Sequence, residues 1–164
     1  MKDYENDVDT EITKEEILMS EQDLLQGLLA AAEDKEDTSN ALPIEIARKG
    51  KVLFRFRIRP LGEDEYNKQR EKATKYVRNK SMGGLKMPES TDAVRYRSYL
   101  IYTATIEEDR KKLWDNKEAW TQLKVINGPD LIDKVLLAGE KDAILEKLDE
   151  ISGYSSNIEE VSKK

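Results

Sequence analysis

Between Pro43 and Pro60 the chain alternates so regularly that one local structure is strongly favoured. Val52, Phe54, Phe56 and Ile58 alternate with Lys51, Leu53, Arg55, Arg57 and Arg59. A period of two puts one set on one face of a strand and the other set on the opposite face. Upstream, Ile44 and Ile46 alternate with Glu45 and Ala47, and Arg48-Lys49-Gly50-Lys51 supplies a turn containing glycine. The pattern predicts a β-hairpin over 43–59, apolar on one face and mostly basic on the other. Burying the four apolar residues of its second strand contributes roughly 6–12 kcal/mol before entropy is subtracted. A lone hairpin is marginal in water, so this one must pack on something, and the rest of the chain offers only helices.

Those helices are written in periods of three and four. Leu24, Leu25, Leu28, Leu29 and Ala32 recur at helical spacing and predict an amphipathic helix over 20–33, weakened at Gly27. Thr13-Lys14-Glu15-Glu16 and Ser20-Glu21-Gln22-Asp23 resemble capping boxes. A solvated helix is expected from Gly62 to Lys80, with Tyr66, Ala73, Tyr76 and Val77 as its seam, then a loop from Ser81 to Pro88. In Tyr96 to Ile106 the Tyr and Thr residues favour a strand while positions 96, 99, 100 and 103 repeat helically, and a helix is expected. Asp115 and Glu118 are expected to cap a short helix carrying Ala119, Trp120 and Leu123. Asn127-Gly128-Pro129-Asp130 opens another helix, with Leu131, Ile132, Val135 and Leu136 as its apolar face and Gly139 as its end. Ile144, Leu145, Leu148 and Ile151 stripe a last helix over 140–151, stopped by Gly153.

The expected fold class is therefore α+β and mostly α: one β-hairpin packed on a compact helical bundle, with a flexible acidic N-terminal arm and a polar C-terminal tail. Residues 1–40 form the arm, its amphipathic helix and a polar linker; 41–154 form a single α+β domain; 155–164 form the tail. A chain of 164 residues can bury a core without disulfides or a structural metal.

Composition narrows function. The chain has no cysteine and no histidine. That removes thiolate and imidazole nucleophiles, bases and metal ligands together. Catalysis would have to use Ser–Lys, paired carboxylates or Mg²⁺, and no enzyme, cofactor or metal site is expected. The acidic opening Met1-Lys2-Asp3-Tyr4-Glu5 is unlike a signal peptide, and the apolar run Leu24 to Ala32 falls well short of the roughly twenty residues a bilayer requires. No membrane association is expected.

Charge is unevenly spread. Residues 1–40 carry 13 acidic and 3 basic side chains, 41–100 carry 7 and 15, and 101–164 carry 14 and 10. The Arg55, Arg57 and Arg59 stripe, with Arg48, Lys49 and Lys51, is the best case for nucleic-acid binding, and a nucleic-acid-binding regulator is the alternative function. A hairpin's outer face must be polar in any case, so pairing within the chain or solvation is the more economical reading. Met82-Gly83-Gly84-Leu85-Lys86 lacks the Gly-Lys-Ser/Thr ending of a phosphate loop and reads as a flexible loop. Glu107-Glu108-Asp109 reads as a solvated helix boundary rather than a Mg²⁺ site. Trp114 and Trp120 suit either a core or an interface, with the core favoured. The face formed by Leu24, Leu25, Leu28 and Leu29 can dock on its own domain or on a partner's groove, with docking on its own domain the default because such a patch is costly to leave exposed in a monomer.

One family matches the arrangement of these segments. Leu136-Leu137-Ala138-Gly139-Glu140, preceded by Leu131-Ile132 and followed by Ile144 and Ile151-Ser152-Gly153-Tyr154, resembles the closing segment of the XkdN-like phage tail assembly chaperones, of the kind carried by PBSX-type prophages. The run from Arg97 through Thr105 to Trp114, the Asn127-Gly128-Pro129 turn and the opening Asp23-Leu24-Leu25-Gln26-Gly27-Leu28-Leu29 are similar in layout to it. The resemblance covers most of residues 20–154 and leaves the acidic arm before Ser20 unmatched. It implies a chaperone that transiently covers the apolar, helical tape-measure protein in the host bacterial cytoplasm while the tail tube polymerises. The tail tube protein and a second copy of the chain are further candidate partners. It also implies that a ribosomal frameshift can extend such chains, for which the polar tail would suit the junction. The expected partner contacts are Leu24, Leu25, Leu28 and Leu29, then Trp114 and Trp120.

Overall fold

A computed structural model describes residues 22–35 and 41–154. The chain divides into two compact units, Met1–Asp37 and Thr38–Lys164. The described part of the first is a helix, α1, over residues 22–35. The expected capping boxes, the acidic arm before them, most of the linker and the tail after Tyr154 lie outside the described residues.

The second unit begins with the expected hairpin. Strand β1 (Leu42–Arg48) pairs antiparallel with β2 (Lys51–Ile58). Lys49 and Gly50 both have positive φ, 53° and 76°, so the two-residue turn has the left-handed conformation that matches the twist of the strands it joins. The alternation is interrupted once. Ile46 faces Phe54 but Ala47 faces Val52, so Leu53 is an extra residue, a β-bulge. Phe56 and Ile58 are buried and Phe54 half-buried, whereas Val52 is exposed. The expectation that Val52 shares their buried face is thus corrected, because the bulge shifts the phase of the strand just after it leaves the turn.

Helix α2 (Glu63–Ala73) follows, its entry fixed by the Glu65 carboxylate accepting from the Gly62 N–H at 2.9 Å. It buries Tyr66, Gln69 and Ala73. The helix stops there. Thr74–Asn79 forms strand β3, and Leu85–Thr91 returns antiparallel as β4, joined by a 3-10 turn at Lys80–Met82 and by Gly83 and Gly84, both at positive φ. The expected helix to Lys80 and loop to Pro88 are both corrected to a second hairpin. Its residues are β-formers, Thr74, Tyr76 and Val77 on one side and Thr91 on the other, and the adjacent glycines accept the turn.

The remaining elements are α3 (Ala93–Ala104), α4 (Glu107–Lys112), α5 (Lys117–Leu123), α6 (Gly128–Val135) and α7 (Ala138–Ile151). The fold class is α+β and mostly α, as the sequence predicts. Side-chain caps set three helix starts: Asp92 accepts from the Arg95 N–H at 3.1 Å, Asn116 from Ala119 at 3.1 Å and Asn127 from Asp130 at 2.8 Å. Asn116, not Asp115, therefore caps α5; Asp115 is engaged by the Tyr102 hydroxyl at 2.8 Å. Leu136 is buried in extended backbone and ends α6, so Gly139 lies in the first turn of α7 instead of closing the helix before it. Gly153, at φ 92°, follows α7 as expected.

The core gathers where the first hairpin meets α3, α6 and α7. Trp114 is fully buried at its centre, edge-on to Phe54 and Phe56 with ring centroids 5.8 and 5.3 Å away. Its indole N–H donates to Thr105 Oγ1 at 2.9 Å, and Thr105 donates on to the Ile101 carbonyl at 2.7 Å. The one polar atom this ring brings inside is thereby satisfied. Arg48, at the hairpin turn, grips Glu140 on α7 through two N–H donors at 3.0 and 2.6 Å and the Val135 carbonyl at 2.6 Å.

Candidate partner-binding surfaces

Leu24, Leu25, Leu28 and Leu29 lie on successive turns of α1, each 58–61% exposed. Four leucines at this spacing make an apolar stripe that water cannot hydrogen-bond, so covering it is favourable by about 25 cal/mol for each Å² removed from solvent. Gly27, between the leucine pairs, adds no side chain to the surface. These are the residues that the helical period singled out.

The two tryptophans divide. Trp114 sits wholly in the core and presents no surface to a partner. Trp120 on α5 is half-buried against it and donates from its indole N–H to the Trp114 carbonyl at 2.7 Å. Both indoles thus serve the packing of the second unit.

The arginine stripe of β2 is spoken for. Arg55 pairs with Glu45 across the hairpin at 3.2 Å, Arg57 with Asp109 at 2.9 Å and Glu108 at 3.3 Å, and Arg59 with Glu65 at 2.6 Å. The Arg57 hydrogen bond holds the Asp109 carboxyl below its usual range, and the pair raises the guanidinium above its own. Asp109 also accepts from the Arg57 backbone N–H at 2.8 Å, closing the outer edge of β2. Two members of the Glu107-Glu108-Asp109 triplet are therefore partners of an arginine, while Glu107 pairs with Lys111 at 3.0 Å. With Arg48 held by Glu140 as well, only Lys49 and Lys51 of that basic ribbon form no ion pair among the described residues, so it has little left to offer phosphates.

Three features went unseen in the sequence. The first is a groove of about 410 Å³ between β1 and α7, floored by Leu42, Ile44, Ala143, Ile144 and Ile151 and rimmed by charged side chains. Only the tertiary packing of a strand against a helix nearly a hundred residues away makes it. The second is a buried polar knot. Lys141 on α7 donates to Ser98 Oγ at 2.8 Å and to Asp133, and Ser98 itself donates to Asp133. Residue types that could form a Ser–Lys pair meet here, but the ammonium is a donor to both neighbours and Ser98 is fully buried, so the knot ties α3, α6 and α7 together. The third is the β3–β4 ribbon, with Tyr76, Val77, Met82 and Leu85 exposed. The β-forming Thr74, Tyr76 and Val77 beside Gly83-Gly84 were its available signal.

The class that these features define is a small, mostly helical α+β protein with apolar side chains exposed on α1 and on the second ribbon. The model of the phage XkdN-like tail assembly chaperone family (TAC) matches residues 25–164, and the chain belongs to that family. No curated protein and no solved structure matches it. Among the described residues no helix is long and apolar enough to cross a membrane.

Proposed function

We propose that this tail assembly chaperone binds the phage tape-measure protein transiently during tail morphogenesis, using the leucine stripe of α1. The observation that carries the reading is the exposure of Leu24, Leu25, Leu28 and Leu29 together on one helix. A tape-measure protein is long, helical and apolar, and would aggregate before the tube encloses it. An amphipathic helix covers such a client by side-chain burial alone, and releases it when tube subunits compete for the same surface. In this reading the protein works in the bacterial cytoplasm as a binding protein and not as an enzyme. Contacts with the tail tube protein and with a second copy belong to the hand-over. Trp120 is a secondary contact, and Trp114 acts only by holding the core.

Co-expression with the tape-measure protein of the same phage tests this. The wild-type chain is expected to keep the client soluble and to co-purify with it. Leu24→Glu with Leu28→Glu is expected to abolish both effects while leaving the melting temperature of the second unit unchanged. An insoluble client in both cases, or equal rescue by the double variant, would overturn the assignment.

A further inference from the structure

The two hairpins differ in what meets their charges. Every arginine of the β2 stripe has a carboxylate, whereas on the β3–β4 ribbon four basic side chains, Lys75, Arg78, Lys80 and Lys86, stand against the single acid Glu89. Glu89 pairs with Lys75 at 3.6 Å, and among the described residues Arg78, Lys80 and Lys86 form no ion pair. The register places Arg78 directly opposite Lys86. Like charges facing each other across two strands are destabilising, so this pair weakens the ribbon as it stands.

Strand alternation sorts the ribbon into two unlike faces. Tyr76 opposes Pro88 and Arg78 opposes Lys86, giving one aromatic and cationic face; Val77 opposes Met87 and Asn79 opposes Leu85 on the other, which is largely apolar beyond Lys75, whose charge Glu89 already meets. Tyr76, Val77 and Leu85 are 43%, 42% and 55% exposed, so neither face is sealed. Within the described residues β3 and β4 pair only with each other. A two-stranded sheet wet on both sides is marginal by itself.

A strand laid along one edge would set its side chains alternately beside each face. Its complement must then carry acids at every second position and apolar residues between them. β4 contains Pro88, which has no N–H, while β3 has no proline to interrupt its edge. We propose that the β3–β4 ribbon is a docking arm for an extended protein segment that alternates Asp or Glu with apolar residues and adds as a strand beside β3. Strand addition supplies affinity through the backbone and specificity through alternate side chains. Nucleic acid would engage the cations but leave Val77, Met87 and Leu85 wet. A lipid surface would cover the tip at Met82 and Leu85 but would not follow the alternation. The arm shares no residue with the leucine stripe and stands or falls separately from it.

The test uses the full chain and a short fluorescent peptide alternating glutamate with valine. Comparison probes are a peptide of the same composition with its glutamates in one block, a DNA duplex, and vesicles containing phosphatidylserine. The alternating peptide is expected to bind, to shift backbone amide resonances within 74–91, and to weaken as salt rises. Arg78→Glu places an acid opposite Lys86, so it should hold or raise the melting temperature while weakening the peptide by about tenfold. Val77→Thr, which keeps the β-branched shape, should weaken it too. No binding of the alternating peptide, equal binding of the blocked one, shifts outside the ribbon, or tighter binding of DNA or vesicles through Arg78 would each overturn the proposal.

Discussion

Gly128 shows what a single residue contributes to this fold. A Cβ at that position would lie 2.2 Å from Cε2 and 2.6 Å from Cδ2 of Tyr102. The ring cannot easily withdraw, since its hydroxyl is held by Asp115 and Arg110 lies over its face at 5.3 Å. Gly128→Ala is expected to destabilise by about 1–3 kcal/mol, read as a lower urea midpoint at unchanged slope; an unchanged midpoint would contradict the contact. Lys49 is the reverse case, a long side chain held at φ 53° where Asn is far more at ease. Lys49→Asn should stabilise by about 0.5–1 kcal/mol, seen as a higher melting temperature. Trp114→Ala should cost about 3–5 kcal/mol, because it empties the centre of the core and leaves Thr105 without its donor. The sequence marked Asn127-Gly128-Pro129 as a helix start from local chemistry. That the glycine also answers to an aromatic ring from another helix is tertiary information, which no local pattern holds.

At the level of elements, pairing across long separations decides stability. Arg48 hydrogen-bonds Glu140 and Arg57 hydrogen-bonds Asp109, and these bonds lower both carboxyl pKa values, those of Glu140 and Asp109, against burial that raises them. A carboxyl whose folded pKa lies below its unfolded one contributes stability above the ordinary carboxylate range and loses it as pH falls through the folded value. The melting temperature is therefore expected to be flat near neutrality and to fall below about pH 4.5. Glu140→Gln should lower it at pH 7 and shrink the acid-dependent fall; an acid profile identical to wild type would refute the linkage. The first hairpin was legible because period two is unambiguous when both strands alternate. The second was not, since Tyr66, Ala73, Tyr76 and Val77 satisfy a helical stripe as well as Tyr76 and Val77 satisfy a strand. What separates them is the end of α2 at Ala73 and the register between β3 and β4. Adjacent glycines at 83 and 84 announced a turn, but a loop and a hairpin tip share that chemistry.

For the molecule as a whole, the charge pattern has a physical use. Part of the basic middle of the chain is consumed inside the second unit, where Arg48, Arg55, Arg57 and Arg59 find Glu140, Glu45, Asp109 and Glu65. What stays available is the apolar stripe on α1, the open groove beside β1 and the second ribbon with its cations and exposed apolar side chains. The stripe could be read from sequence because helical period and side-chain type are local properties. The groove could not, because it exists only once distant segments have packed; the ribbon is local, but its first strand fits a helical stripe equally well. The chain belongs to a tail assembly chaperone family, and the proposed binding of the tape-measure protein works through the stripe on α1. Amide hydrogen exchange of the full chain, alone and with the proposed tape-measure client, reads this most directly. The account predicts slowed exchange across residues 22–35 on adding the client, with the core around Trp114 unchanged. Exchange that stays fast there while the client is demonstrably bound would contradict it.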